Sequence, residues 1–315
     1  MSQQTPKQAR IIDPILTTHA QGYVRPGNVG KFLFPTAEVN SLGGQVITFG
    51  KEGFKRYATK RAPGAATQRV QFGHAGEKYS IIPAALEALV PDELQNEAQQ
   101  VPGIDLASDS VDLVLDVFEL EHECECADLA RDASRYDANH KLQLTSTTRW
   151  SADTSTPTSD VFAGSEAIRS TIGMRANVGI LSPSSFTALQ TNKDILDRLK
   201  YTSRDSVTTD MLARLWNLQN VYVGDALVAN DQDDFSDVWG DDVILAYVAP
   251  PTGGNRRSAA RPSYGYTYTM RGNPHVKQPY YENNRASWIY GVQADRTPVL
   301  SGISGGFLLQ GAGAR

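Results

Sequence analysis

The sequence predicts an α+β protein in which a compact α/β region follows segments that cannot bury themselves. Three observations carry that prediction. Prolines and glycines repeatedly interrupt residues 1–44, a long charged hairpin fits residues 45–82, and an apolar stripe of helical period then marks one long helix before short strands and helices begin to alternate.

The bulk properties narrow the function classes. The chain has 315 residues, a net charge of −5 and the composition of an ordinary globular protein, so a real core can form. No apolar run is long enough to cross a bilayer, and Met1–Arg10 is too polar for a secretory signal, so synthesis in the cytosol without membrane attachment is expected. The acidic balance argues against a protein that grips nucleic acid by neutralising phosphates. Cys124 and Cys126 are too close for an unstrained bridge, which suggests a reducing compartment.

In residues 1–44, Pro6, Pro14, Pro26 and Pro35 break regular helix while Ile11, Ile12, Ile15 and Phe32 recur as apolar anchors, which describes an arm lying along another surface. Gln45–Lys60 and Gln68–Ile82 fit two strands joined at Arg61-Ala62-Pro63-Gly64, a strong turn signal. Each strand would reach roughly 40–50 Å, and Lys51, Lys55, Arg56, Lys60, Arg61 and Arg69 make the hairpin too polar for a core. Isolated two-stranded ribbons are marginal in water, so this one needs a partner.

The long helix is expected over about Asp109–Asn139, capped by Ser108 or Asp109 and buried along Val111, Leu115, Phe118, His122, Cys126, Leu129 and Ala133, with the neighbouring glutamates solvated. After a Ser/Thr-rich connector, Thr145–Ser159, the α/β alternation starts. A strand at Ala176–Leu181 leads into a helix capped by Ser182 and opened by Pro183, carrying Phe186, Leu189, Leu196 and Leu199 on one face. Thr208 or Thr209 caps a further helix, strands follow at Asn220–Val223 and Val243–Val248, and late strands are expected near Tyr264–Met270, Ser287–Val292 and Gly306–Gln310.

This order of pieces, with ANVGILSPSSFTALQTNKDILDRLKY, TTDMLARLWNLQNVYVGDALV, VWGDDVILAYVAP and PSYGYTYTMRG within it, resembles the major capsid proteins of tailed bacteriophages, in particular the lambda-type subfamily with the Hong Kong 97-like fold. The resemblance implies an N-terminal arm (1–44), an extended loop (45–82), a peripheral domain with its spine helix (83–160), an axial domain (161–260) and returning strands of both domains (261–315). It implies a structural role, self-assembly in hexamers and pentamers into an icosahedral shell, and location in a virion assembled in the host cytoplasm. The implied partners are a portal, a scaffolding protein encoded separately (since the chain starts directly with the arm), a decoration protein where the shell is cemented, and packaged double-stranded DNA held without sequence-specific contacts. A nanocompartment shell on the same fold is the alternative.

Nothing in the sequence calls for catalysis or a cofactor. His122 and Cys126 share a helical face, but Cys124 points away and no second cluster completes a metal site. Asp231, Asp233, Asp234, Asp237, Asp241 and Asp242 fail the calcium-loop pattern, Gly253–Arg257 lacks the spacing and lysine of a phosphate loop, and the histidines at 19, 74, 122, 140 and 275 are scattered. A metal-dependent enzyme is therefore the distant rival. The expected site is an intersubunit one: Lys51, Lys55, Arg56, Lys60 and Arg61 of the hairpin facing acidic surface on a neighbour, with Glu121, Glu125 and Asp128 of the long helix as first candidates. No lysine, asparagine and glutamate set for covalent linkage is recognisable, so the contact is expected to be noncovalent.

Overall fold

The computed structural model describes residues 12–46, 60, 78–98, 105–199, 206–251 and 261–314. The expected hairpin strands fall almost wholly outside these residues, as do Ile11, His74 and the Gly253–Arg257 loop.

A five-stranded sheet forms the centre of the α/β region, in the spatial order Lys141–Gln143, Gly306–Gln310, Val243–Ala246, Val178–Leu181, Asn220–Val223. Apart from the terminal Gln310, its central strands carry no polar side chain, because both faces are covered and successive residues point to opposite faces. Val243, Leu245, Phe307, Leu309 and Leu181 face one core with Trp150, Ile168, Leu189, Ile195 and Trp216. Ile244, Ala246, Leu308, Val178 and Ile180 face the other, with Cys126, Ala127, Ala130, Tyr136 and Tyr264.

The spine helix runs Leu106–Arg131, 26 residues and so about 39 Å long. It starts and stops earlier than predicted. Its cap is Asp105, whose side chain accepts from Ala107 N at 3.2 Å, in place of Ser108 or Asp109. The end at Arg131 comes from Asp132, whose Oδ1 accepts from Ser134 N at 3.0 Å and holds a local turn that competes with the helix. Tyr136 then folds back and donates its hydroxyl to Ala130 O at 2.8 Å, satisfying one terminal carbonyl. Ala133 thus lies beyond the helix but still packs against the same core as Cys126 and Leu129, and its carbonyl accepts from Lys141 Nζ.

Against the first half of this helix packs a four-stranded sheet: Ser287–Gln293 pairs along its whole length with Ala85–Pro91, and on its other side with Tyr280–Glu282 and His275–Val276. Val111, Val114, Leu115 and Phe118 meet Val90, Tyr290 and Val292 there. A three-stranded sheet, Thr36–Val39, Gly265–Met270 and Arg296–Leu300, adjoins it. The base of the expected hairpin is present: Gly43–Gln45 pairs antiparallel with Lys78–Ser80, and Tyr79 stacks on Tyr268 with ring centroids 4.4 Å apart.

Several expectations are corrected. The stretch opening at Ser182 is two helices, Pro183–Thr191 and Lys193–Leu199, because Asn192 turns its side chain to Trp150 O and Ser155 and leaves the helical path. The Ser/Thr-rich connector runs into an unpredicted helix, Pro157–Ile172. It opens with Pro157 at its first position and closes on Gly173 at φ 74°, and its packing face uses Gly164 and Ser165, too small to register as an apolar stripe. In the arm, Asp13 caps a helix, Pro14–Gly22, that proline and glycine density had argued against. Ile12 and Ile15 are exposed, and the buried anchors are Ala20, Val29, Leu33 and Phe34.

Candidate functional site

The spine helix organises the surfaces that bear on function, since the arm, the four-stranded sheet, the strand Arg296–Leu300 and the central sheet all pack against it. The arm runs parallel to it and is fastened by a ladder of polar contacts. His19 Nε2 lies 2.7 Å from Asp112 Oδ1, Tyr23 donates to Asp116 Oδ1 at 2.6 Å, Arg25 donates to Asp116 O, and Asn28 donates to Glu119 O. Burial and the Asp116 carboxylate push the Tyr23 phenol up to about 12. The spacing 112, 116, 119, 123 is one helical face, and the arm occupies all of it.

The ladder ends at Glu123, which is buried and not solvated as expected. Its Oε1 accepts from Val29 N at 2.8 Å and from Trp239 Nε1 at 2.7 Å, and its Oε2 accepts from Gly30 N at 2.9 Å. One carboxylate therefore joins the arm, the helix and the segment before the strand Val243–Ala246. Burial raises its pKa, while the three donors and the neighbouring Glu119 act in opposite senses, the donors lowering it. Gly30 is required for this approach: a Cβ there would sit 2.8 Å from Cys126 Cβ.

His122 lies in the stripe as predicted. Thr267 donates its hydroxyl to Phe34 O at 2.9 Å, so it accepts from His122 Nε2–H at 2.9 Å, which makes the ring the neutral Nε2–H tautomer. Burial drives the imidazole down to about 3. Cys126 is buried with its thiol pushed well above the ordinary range, and both cysteines are free. Among the described residues no group of three His, Cys, Asp or Glu side chains is placed to hold a metal ion. Of the aspartate run, residues 231–237 lie on an exposed ribbon, while Asp242 accepts from Arg131 Nε and Gly311 N, both at 2.9 Å, tying the helix end to the C-terminal turn.

The outward face of the spine helix carries the predicted acidic residues. Glu121, Glu125 and Asp128 are exposed, follow i, i+4, i+7 spacing, and form no ion pair among the described residues. Partial desolvation, then repulsion from Glu121 and Asp128, raises the Glu125 carboxyl. The same face continues toward the helix start as Val117 and Leu113, 49% and 65% exposed, which sequence reading missed. Of the predicted basic partners, Lys60 is exposed, and Lys51, Lys55, Arg56 and Arg61 lie outside the described residues.

No family model matches the sequence. The chain is 33% identical over 302 residues, 96% of its length and 97% of the relative's, to the major capsid protein of Burkholderia phage BcepMu. The crystal structure of a phage-related protein from Bordetella bronchiseptica RB50 superposes with a TM-score of 0.85 at 47% identity, covering 98% of this chain and 100% of that one. More distant likenesses, which bear on fold alone, include a prophage protein of Escherichia coli CFT073 assigned as a capsid protein (TM-score 0.60, 11% identity, 95% and 98% covered) and the SrpI encapsulin of Synechococcus elongatus PCC 7942 (0.56, 10%, 100% and 94%). The fold is the Hong Kong 97-like capsid fold. The chain belongs to the phage major capsid proteins.

Proposed function

We propose that the chain is the subunit that builds the icosahedral head of a phage, associating in pentamers and hexamers around packaged double-stranded DNA, with a separate scaffolding protein and a portal as assembly partners and a decoration protein where the shell is cemented. Residues 1–44 serve as the arm, 45–82 as the extended loop, 83–160 as the peripheral domain, 161–260 as the axial domain and 261–315 as strands returning to both. The observation that carries the assembly reading is the outward face of the spine helix. Glu121, Glu125 and Asp128 have no ionic partner among the described residues, whereas the arm-facing carboxylates are all used internally. Charge complementarity matches that face to the basic hairpin of a neighbouring copy, through Lys51, Lys55, Arg56, Lys60 and Arg61.

The nanocompartment alternative rests on likeness at 10% identity, whereas the phage relative shares 33% over nearly the whole chain. Electron microscopy of the chain purified alone and with its scaffolding protein tests the proposal. Closed shells of five- and six-membered rings are expected; monodisperse monomers under both conditions would refute it.

A further inference from the structure

Between the edge strand of the central sheet and Trp239, the chain forms a two-stranded ribbon in which Leu227–Ala229 pairs antiparallel with Phe235–Asp237. The register places Leu227, Ala229, Phe235 and Asp237 on one side and Val228 and Ser236 on the other. Val228 turns inward and packs against the core cluster that contains Cys126, Ala130 and Trp239. Leu227 and Phe235 turn outward, 47% and 73% exposed.

The tip is held in shape. Asn230 Oδ1 accepts from Gln232 N and Asp234 N, both at 2.9 Å. A ribbon of two short strands is marginal on its own, and Leu227 and Phe235 put two large apolar side chains on the same outward side of it.

The position of the ribbon points to what covers it. Both faces of the central sheet are sealed by this chain's own elements, and the ribbon continues from Asn220–Val223, the strand at one lateral edge. In a ring built by rotation, one lateral flank of each copy meets a different flank of the next. Charge agrees: Asp231, Asp233, Asp234 and Asp237 are exposed and have no ion pair among the described residues, and neither do Lys78, Arg214, Arg261 and Arg271 elsewhere on the same chain.

We propose that the ribbon Leu227–Asp237 is a ring contact, with Phe235 and Leu227 seated on the flank of a second copy of this chain and the tip carboxylates against its cations. This rests on the shell-subunit reading above. The test places a photo-crosslinking benzoylphenylalanine at position 235 and, separately, makes the double variant Leu227→Ser, Phe235→Ser. In assembled particles, chain-to-chain crosslinks forming a ladder up to the ring size are expected. The double variant should keep the circular dichroism and melting of the unassembled wild-type subunit, since both side chains are exposed there, and should need about tenfold more protein to form shells. Crosslinks solely to another phage protein, no crosslinks in intact shells, or unchanged assembly of the double variant would overturn the ribbon contact. Failure of the wild-type chain to form shells would instead overturn the shell reading.

Discussion

Removing the Glu123 carboxylate should unfasten three segments at once. In Glu123→Ala the amides of Val29 and Gly30 and the indole N–H of Trp239 lose their acceptor, and all three lie in the interior. A buried donor left without a partner costs about 1–3 kcal/mol. Simple addition would exceed the real loss, because water entering the vacated space and relief of a buried charge offset part of it; a net cost of about 3 kcal/mol is expected. Glu123→Gln keeps the shape. With its oxygen at the Oε1 position it still accepts from Val29 N and Trp239 Nε1, and its amide group opposes only Gly30 N–H, so the expected cost is about 1–2 kcal/mol. The wild-type advantage over Glu123→Gln also depends on pH. Burial sets the folded pKa above the ordinary 4.5, so that advantage is fullest below 4.5 and declines as pH rises through the folded value. Urea unfolding of unassembled subunits, followed by circular dichroism, measures each loss. An alanine variant that loses less than about 1 kcal/mol, or a glutamine variant less stable than the alanine one, would refute the account of Glu123 as the common acceptor.

Four further outcomes are expected. Gly30→Ala pushes a methyl against Cys126 and the Glu123 carboxylate and should cost about 1–3 kcal/mol by the same unfolding measurement. His122 takes up a proton in the unfolded chain at 6.5 but in the folded one only near 3, so stability should fall by up to about 1.4 kcal/mol per pH unit as pH drops through that window; His122→Asn should flatten this part of the acid-unfolding curve. Replacing Lys55–Thr67 by Asn-Gly, or Glu121, Glu125 and Asp128 together by lysine, should leave helix content near wild type and abolish stable shells in electron microscopy, although each exposed pair contributes only about 0–1 kcal/mol, because many copies act together. The isolated subunit should show no tight, salt-sensitive DNA binding in a filter assay, since its net charge is −5.

Local signals carried much of the architecture. Ser182 followed by Pro183, Thr208 as a cap, and the run at Gly306–Gln310 each specify their element through a chemistry confined to a few neighbours. The stripe through Val111, Leu115, Phe118, His122 and Cys126 likewise revealed the spine helix, because a core-facing surface repeats with the helical period. The same is true of the outward acids, whose i, i+4, i+7 spacing was legible without knowing what lies opposite. What the sequence by itself could not determine was which of several similar carboxylates is buried. Glu119, Glu121, Glu123 and Glu125 follow one another at two-residue intervals, and nothing local separates them. Only the tertiary structure brings Val29, Gly30 and Trp239 to Glu123 from positions about a hundred residues away on either side, and a side chain's burial depends on what arrives from a distance. The exposure of Leu113, Val117 and Phe235 was decided in the same way: their apolar side chains would suit a core, and each is a surface residue because none of the described elements covers it.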